Sequence, residues 1–184
     1  AIDKLKTMRE GEGKFLEALG FDAQNLDAHL GLGWVYLQDE DYDLAQKKFN
    51  DVLGIDNQNL NGHLGLGWVY LGQFDLEGSR KEFEYVRSIA PEFADSYFGL
   101  GMLELSAYDF DSSIELMDES LRLNSNLPGA YYFKGLAYYR QGQYSEGRVT
   151  RVPLFLLKIR DSHSSSLHGG FSPCAPPWDM RPIF

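Results

Sequence analysis

Residues 28–37 read AHLGLGWVYL, and the same pattern returns at residues 62–71 as GHLGLGWVYL. Two further copies follow, SYFGLGMLEL at residues 96–105 and AYYFKGLAYY at residues 130–139. Each copy begins 34 residues after the one before it, with no insertion or deletion. A constant period of roughly 20–50 residues is typical of proteins built from stacked structural repeats. The sequence therefore predicts a repeat protein.

Each unit of the repeat contains two stretches with helical spacing. In the unit 26–59, apolar residues recur at intervals of three and four over residues 26–39 (helix A) and again over residues 43–55 (helix B). The acidic run 39–41 separates the two stretches. These patterns predict an all-α protein made of helix pairs. The predicted units are residues 26–59, 60–93, 94–127 and 128–147, of which the last is incomplete.

The first residues of the chain carry the pattern of a helix B. Phe15 and Leu19 lie one period before Phe49 and Leu53. We therefore expect residues 1–25 to form the trailing helix of a partial repeat.

The last residues depart from the repeat pattern. Residues 148–184 hold five of the seven prolines, and Arg151 stands where Phe49 stands in the first unit. Pro153 would break or kink a second helix in the fourth unit. Beyond the apolar run 152–159 no periodicity remains. We expect residues 148–184 to be an irregular tail rich in proline, serine and glycine.

The spacing within a unit resembles the tetratricopeptide repeat. The matching residues of the first complete unit are Leu32, Gly33, Tyr36, Tyr42, Ala45, Phe49 and Asn57. The pattern departs at Gly78 and Ser79, where helix B of the second unit would prefer alanine, and at Glu104 of the third unit, which replaces the usual tyrosine. The resemblance spans about residues 8–147 and implies a right-handed α-solenoid of antiparallel helix pairs. It also implies a non-catalytic protein–protein interaction scaffold whose helices A line a concave face.

Glycines inside helix A form two sets. Each costs a helix roughly 0.5–1 kcal/mol relative to alanine, so close packing must offset the cost. The first set lies where the family places a small residue between helices A and B, at Gly33, Gly67, Gly101 and Gly135. The second set is less expected in this family, and we expect it to leave room for a ligand: Gly31, Gly65 and Gly99.

The resemblance implies a partner-binding groove formed by helix A side chains. We call the following twelve residues the predicted groove: Leu30, Trp34, Leu37, Leu64, Trp68, Leu71, Phe98, Met102, Leu105, Tyr132, Leu136 and Tyr139. Nearly all are apolar, which favours an apolar or amphipathic helix as the bound segment.

Two interpretations of the tryptophans remain open. If Trp34 and Trp68 are partner anchors on the surface, replacing both by asparagine changes stability by less than about 1 kcal/mol. If they are core residues, the loss amounts to several kcal/mol, with ~3–5 kcal/mol typical of a large-to-small change in a core.

Charge restricts the class of partner. Residues 1–147 hold 12 basic and 25 acidic side chains, whereas residues 148–184 hold 5 basic and 2 acidic side chains. An acidic body disfavours nucleic acid, whose binding depends on lysine and arginine. The sequence therefore predicts a protein or peptide partner, with basic segments favoured by the acidic rim.

The compartment is predicted from cysteine usage and hydropathy. Cys174 is the one cysteine, so no intrachain disulfide forms. No apolar run approaches the ~18–20 residues that span a bilayer. We expect a cytoplasmic protein, and an exported or periplasmic one if a targeting segment has been removed.

No motif predicts catalysis, a cofactor or a metal site. His29 and His63 lack accompanying ligands, so packing at a helix interface is the expected role. The acidic run 39–43 resembles the start of a calcium loop, but Leu44 and Asn50 replace its glycine and its bidentate glutamate. We expect a solvated turn there.

Two other functions remain alternatives to the scaffold. Open array ends expose apolar faces that capping repeats would cover, which favours self-association. In a variant of this alternative, residues 152–159 fold back over the last unit or into the groove. The second alternative is that the chain is the targeting arm of a larger enzyme.

Overall fold

A computed structural model describes the backbone of residues 2–145 and the side chains of residues 9–142. This part of the chain is all-α, and the predicted tail lies outside it. Its helices are α1 (Ile2–Phe21), α2 (Leu26–Gln38), α3 (Tyr42–Ile55), α4 (Leu60–Gly72), α5 (Leu76–Ile89), α6 (Ala94–Ser106), α7 (Phe110–Leu123) and α8 (Pro128–Ser145). None of these described helices is long and apolar enough to cross a membrane.

The helices stack as a solenoid. Each helix packs against the next one in the chain, and α2, α4, α6 and α8 also contact one another in sequence. These four are the helices A, and α3, α5 and α7 are the helices B. α1 packs on α2 in the place of a helix B. We number positions from 1 at residue 26, 60, 94 or 128, so that equivalent residues are 34 apart.

Side-chain caps set where the helices begin. Asn25 and Asn59 accept hydrogen bonds from backbone N–H groups in the first turns of α2 and α4. At position 16, Asp41, Asp75 and Asp109 do the same for α3, α5 and α7. Such caps contribute ~1 kcal/mol each and fix the boundary between helix A and helix B.

The last helix runs past that boundary. α8 continues to Ser145, through the residues equivalent to the turn in the earlier units. Gln143 occupies position 16, where each complete unit has a capping aspartate. Without a good capping residue, nothing in the sequence favours the start of a helix B at this point.

Phenylalanine rings at position 24 pack between neighbouring units. Phe49 is fully buried, and a Cβ added to Gly33 of its own unit would lie 2.6 Å from the ring. A Cβ on Gly65 of the following unit would also lie within 3.0 Å of the same ring. Phe83 lies in the same way between Gly67 and Gly99. Each ring therefore lies in a clamp of two glycines, one from each of two successive helices A.

The expected role of the second glycine set was wrong. Gly31, Gly65 and Gly99 face the rings of Phe15, Phe49 and Phe83, so they leave no room for a ligand. Close approach of helices, rather than a binding cavity, offsets their helical cost.

Serine hydroxyls at position 20 replace the alanine of the first unit. Ser79 donates a 2.8 Å hydrogen bond to the carbonyl oxygen of Gly67, and Ser113 donates one of equal length to Gly101. Both side chains are fully buried, and their hydroxyls are satisfied by helix A. Serine can therefore replace alanine at this position while helices A and B stay in close contact.

The glycine clamp predicts opposite effects of alanine at two helical glycines. The methyl group added by Gly65→Ala would overlap the ring of Phe49, and such overpacking costs ~1–3 kcal/mol. A Cβ on Gly54 of α3 meets no described atom within 4 Å, so Gly54→Ala should stabilise by ~0.5–1 kcal/mol through helix propensity. Denaturant unfolding of the two variants measures both changes. Equal effects of the two substitutions would contradict the clamp.

Candidate partner-binding surface

The predicted groove is largely closed. Seven of its twelve residues are buried in the shared core: Leu37, Leu64, Trp68, Leu71, Phe98, Met102 and Leu105. Three are partly buried against that core: Leu30, Trp34 and Leu136. Tyr132 and Tyr139 are exposed. The open parts of the groove thus lie in the first and the last of the described helices A.

Trp68 is a core residue. Only 1% of its surface is exposed, and its ring lies 5.0 Å from that of Phe83 and 5.5 Å from that of Phe98. Phe98 belongs to the next helix A, so the indole fills the space between two successive helices A. Of the two interpretations of Trp68, its burial supports the core residue, and its place in the predicted groove is not accessible because the neighbouring repeat covers it.

Trp34 keeps part of its surface open. Its ring meets Phe49 edge-on at a centroid distance of 5.1 Å, as Trp68 meets Phe83. The indole is nevertheless only partly buried. Together with Leu30, it forms the accessible apolar part of the inner face in the first complete unit.

The histidines contribute to packing between the helices. His63 Nδ1 lies 2.7 Å from Glu82 Oε2, and its ring lies 4.1 Å from that of Tyr85. His29 is buried, with Nε2 3.0 Å from the carbonyl oxygen of Ala23. Within residues 9–142, no group of three or more histidine, cysteine, aspartate or glutamate side chains is arranged to hold a metal ion.

Bulky residues occupy the left-handed turn between helices A and B. Glu40, Phe74 and Tyr108 all lie at position 15 with φ of 63–64°. A left-handed conformation costs roughly 1–2 kcal/mol for a residue with a Cβ. Phe74 is 78% exposed and Tyr108 is 60% exposed. We call these two residues the turn-edge aromatics. Sequence reasoning missed them, although the lack of glycine in these turns was a readable signal.

Acidic residues adjoin the turn-edge aromatics. An open depression of about 450 Å³ lies between the turns of the first and second units. It is lined by Asp39, Glu40, Asp41, Tyr42, Asp43 and Gln73. Gln73 immediately precedes Phe74, so carboxylates and an exposed ring share one edge of the stack.

A further carboxylate is partly buried in the first turn of α6. Burial raises the pKa of the Asp95 carboxyl above its usual range, and a hydrogen bond from its own backbone opposes that rise. Position 2, where Asp95 lies, is occupied by Asp27 in the first unit. Both residues add negative charge at the start of a helix A.

The sequence of residues 26–59 matches the family model of the tetratricopeptide repeat. The two following units repeat the same frame and fold into the same helix pairs. This chain contains a tetratricopeptide repeat. A search of curated proteins finds no match.

Solved structures similar to this chain share its fold at low identity. A thermophilic TPR protein of Thermus thermophilus is 16% identical, with a TM-score of 0.69, covering 88% of this chain and 92% of its own. PilF of Pseudomonas aeruginosa is 22% identical, with a TM-score of 0.63 and coverages of 79% and 66%. MamA of Desulfovibrio magneticus is 18% identical, with a TM-score of 0.60 and coverages of 88% and 90%.

The two tryptophans of this repeat protein should differ in their effect on stability. Trp68→Ala leaves a cavity between the helices and should lower the free energy of unfolding by ~3–5 kcal/mol. Trp34→Ala removes a ring that is already partly solvated, so its cost should be at least ~1 kcal/mol smaller. Urea unfolding followed by circular dichroism compares them, and an equal loss for both variants would contradict the assignment.

The left-handed turns predict that glycine stabilises where alanine does not. Phe74→Gly relieves the backbone cost and should raise the free energy of unfolding by up to ~1 kcal/mol, less the entropy that glycine adds to the unfolded chain. Phe74→Ala keeps a Cβ in the same conformation and serves as the matched control. Thermal unfolding of both variants is the measurement. If alanine stabilises as much as glycine, the ring rather than the backbone carries the cost.

Proposed function

We propose that this chain is a non-catalytic scaffold that binds protein segments carrying both apolar and basic side chains. The tetratricopeptide repeat fold supports a protein-binding role. The finer assignment, to partner chemistry and contact surface, comes from the exposed apolar and acidic residues. It includes a cytoplasmic location, with an exported or periplasmic location as the alternative.

The observation that carries the proposal is the pair of turn-edge aromatics. Phe74 and Tyr108 occupy the same position of consecutive units, and both are held at positive φ with their rings largely in solvent. Glycine would avoid the conformational cost at either place. Stored backbone strain of this kind is concentrated at functional sites. We infer that the two rings are retained as anchors for a partner.

The opening of the predicted groove supplies a second contact region. Leu30 and Trp34 present apolar surface on the inner face, supported from behind by the buried part of the groove. A rigid aromatic anchor on a packed base is the type of residue that dominates binding energy at interfaces. In this proposal, the exposed Tyr132 and Tyr139 and the partly buried Leu136 extend the inner face at the other end.

Charge supports basic side chains in the partner. The carboxylates of the 450 Å³ depression lie next to the turn of Phe74. Electrostatic complementarity of this kind increases association rates and selects among partners. A lysine or arginine within reach of a ring also gains from cation–π attraction. The partner segment therefore combines an apolar anchor with flanking positive charge.

Selection from a random peptide library tests the chemistry of the partner directly. The 184-residue chain is used as bait for phage-displayed peptides. Selected peptides should be enriched in lysine and arginine together with large apolar residues. Their affinity, measured by fluorescence anisotropy, should fall at least about tenfold in the double variant Phe74→Ser/Tyr108→Ser, a change of about 1.4 kcal/mol.

A matched control uses two other exposed apolar residues. Ile55 and Ile89 lie at position 30 of consecutive units and are exposed at the ends of α3 and α5. Ile55→Ser/Ile89→Ser should leave the affinity within about twofold of the original. The proposed surface would be contradicted if the selected peptides were not enriched in lysine and arginine. An equal loss of affinity in the two double variants would contradict it as well.

A further inference from the structure

The last helix A presents an empty place for a ring. At position 8, Gly33, Gly67 and Gly101 are buried, and each meets the position-24 side chain of its own helix B within 3.0 Å. Gly135 occupies position 8 of α8 and is exposed. No described atom lies within 4 Å of a Cβ built on Gly135. The half of the clamp that α8 contributes therefore has no ring among the described residues.

The first helix presents the complementary half. At position 20, the residues of α3, α5 and α7 are fully buried against helix A. Gly11 of α1 occupies that position, yet a Cβ on it meets no described atom within 4 Å. Phe15 occupies position 24 and is only partly buried, with Gly31 against one side of its ring. Its ring therefore has one glycine of the clamp and lacks the other.

We propose that a second copy of this chain supplies the missing half, with α1 of one copy docking on α8 of the next. The two helices then form one helix pair shared between two chains. Phe15 of the second copy fills the place above Gly135, as Phe49 does above Gly33. The stack then continues head to tail, with the same contact at each junction between copies.

Side chains at the two ends of the inner face fit the same arrangement. Trp68 at position 9 packs on Phe98 at position 5 of the next helix A. In a head-to-tail contact, Leu136 at position 9 meets Leu30 at position 5 of the second copy. Both are partly buried members of the predicted groove at opposite ends of the array. One contact thus covers both of them, and in the assembly the turn-edge aromatics are the surface that serves the partner of the proposed function.

Tyrosines of α8 show what the docked copy would cover. Tyr139 at position 12 is 49% exposed, whereas the equivalent Leu71 and Leu105 are buried by the following unit. Tyr132 at position 5 is 39% exposed, whereas the equivalent Phe98 is buried. No described helix A follows α8. In the proposed assembly, α2 of the second copy takes that place.

The chain's own sequence offers a poorer occupant. α8 runs through the turn where a helix B would begin, and Arg151 stands at position 24. Pro153 follows two residues later, inside the segment that would have to be helical. In repeat register, this segment brings a guanidinium to an apolar place between two helices, which costs free energy unless the charge is paired. A second copy would instead place the apolar ring of its Phe15 there.

Lys134 is compatible with the docked helix. It stands at position 7, where the complete units have Leu32, Leu66 and Leu100. Its ammonium group is paired with Asp118 of α7. The docked helix would therefore meet the aliphatic stem of Lys134 rather than its charge.

Blocked variants test the arrangement in the 184-residue chain. Gly135→Leu fills the place on α8, and Gly11→Leu fills the place on α1. Neither new side chain meets a described atom of the single chain at its Cβ, so each variant should keep the helical circular dichroism spectrum. Sedimentation velocity should show the unmodified chain growing in size with concentration and each variant as a monomer. An equimolar mixture of the two variants retains one intact contact and should form dimers and nothing larger.

The control substitution is Gly54→Leu, another exposed helical glycine facing open space, which should associate as the unmodified chain does. The proposal is overturned if the unmodified chain stays monomeric up to submillimolar concentration, the result expected if its own residues cover α8. It is also overturned if Gly11→Leu forms dimers by itself, which would mean contact between two copies of α8. Association of Gly135→Leu at the level of the unmodified chain would contradict it as well.

Discussion

The structure depends on aromatic rings held between pairs of glycines. A ring at position 24 can contact two helices A only if neither helix carries a Cβ at the contact, as at Gly33 and Gly65 around Phe49. Seven glycines inside helices A would otherwise weaken them by several kcal/mol, at roughly 0.5–1 kcal/mol each. At Phe49 and Phe83 the clamp converts that cost into close packing, and it links the first complete unit to the second and the second to the third.

The close approach of the helices determines which residues are available for function. Because successive helices A lie so near one another, large side chains at positions 5, 9 and 12 fill the space between them instead of lining an open groove. Trp68 is the clearest case. Binding surface is left where the stacking is incomplete, at the two ends, and where the chain turns, at Phe74 and Tyr108. Both the proposed scaffold function and the proposed assembly follow from this distribution.

Much of the fold could be predicted from the sequence, because a fixed period reports the repeating unit directly. The tetratricopeptide repeat and, for the described residues, the all-α solenoid are confirmed. The exposure of single residues was harder, since it depends on a neighbour in another repeat unit: Trp68 is covered by Phe98, and Gly65 by Phe49. A contact between units leaves no local signal at either residue. The extension of α8, by contrast, was readable from Gln143 in place of the capping aspartate.

The clamp itself is tested most directly by a double-mutant cycle between its two sides. Unfolding free energies are measured for Gly65→Ala, Phe49→Leu, the double variant and the unmodified chain. If the added methyl group collides with the ring, removing the ring should relieve the alanine penalty, giving a coupling energy of ~1 kcal/mol or more. Additive losses, with a coupling near zero, would show that the ring and the glycine act independently and would contradict this account of the fold.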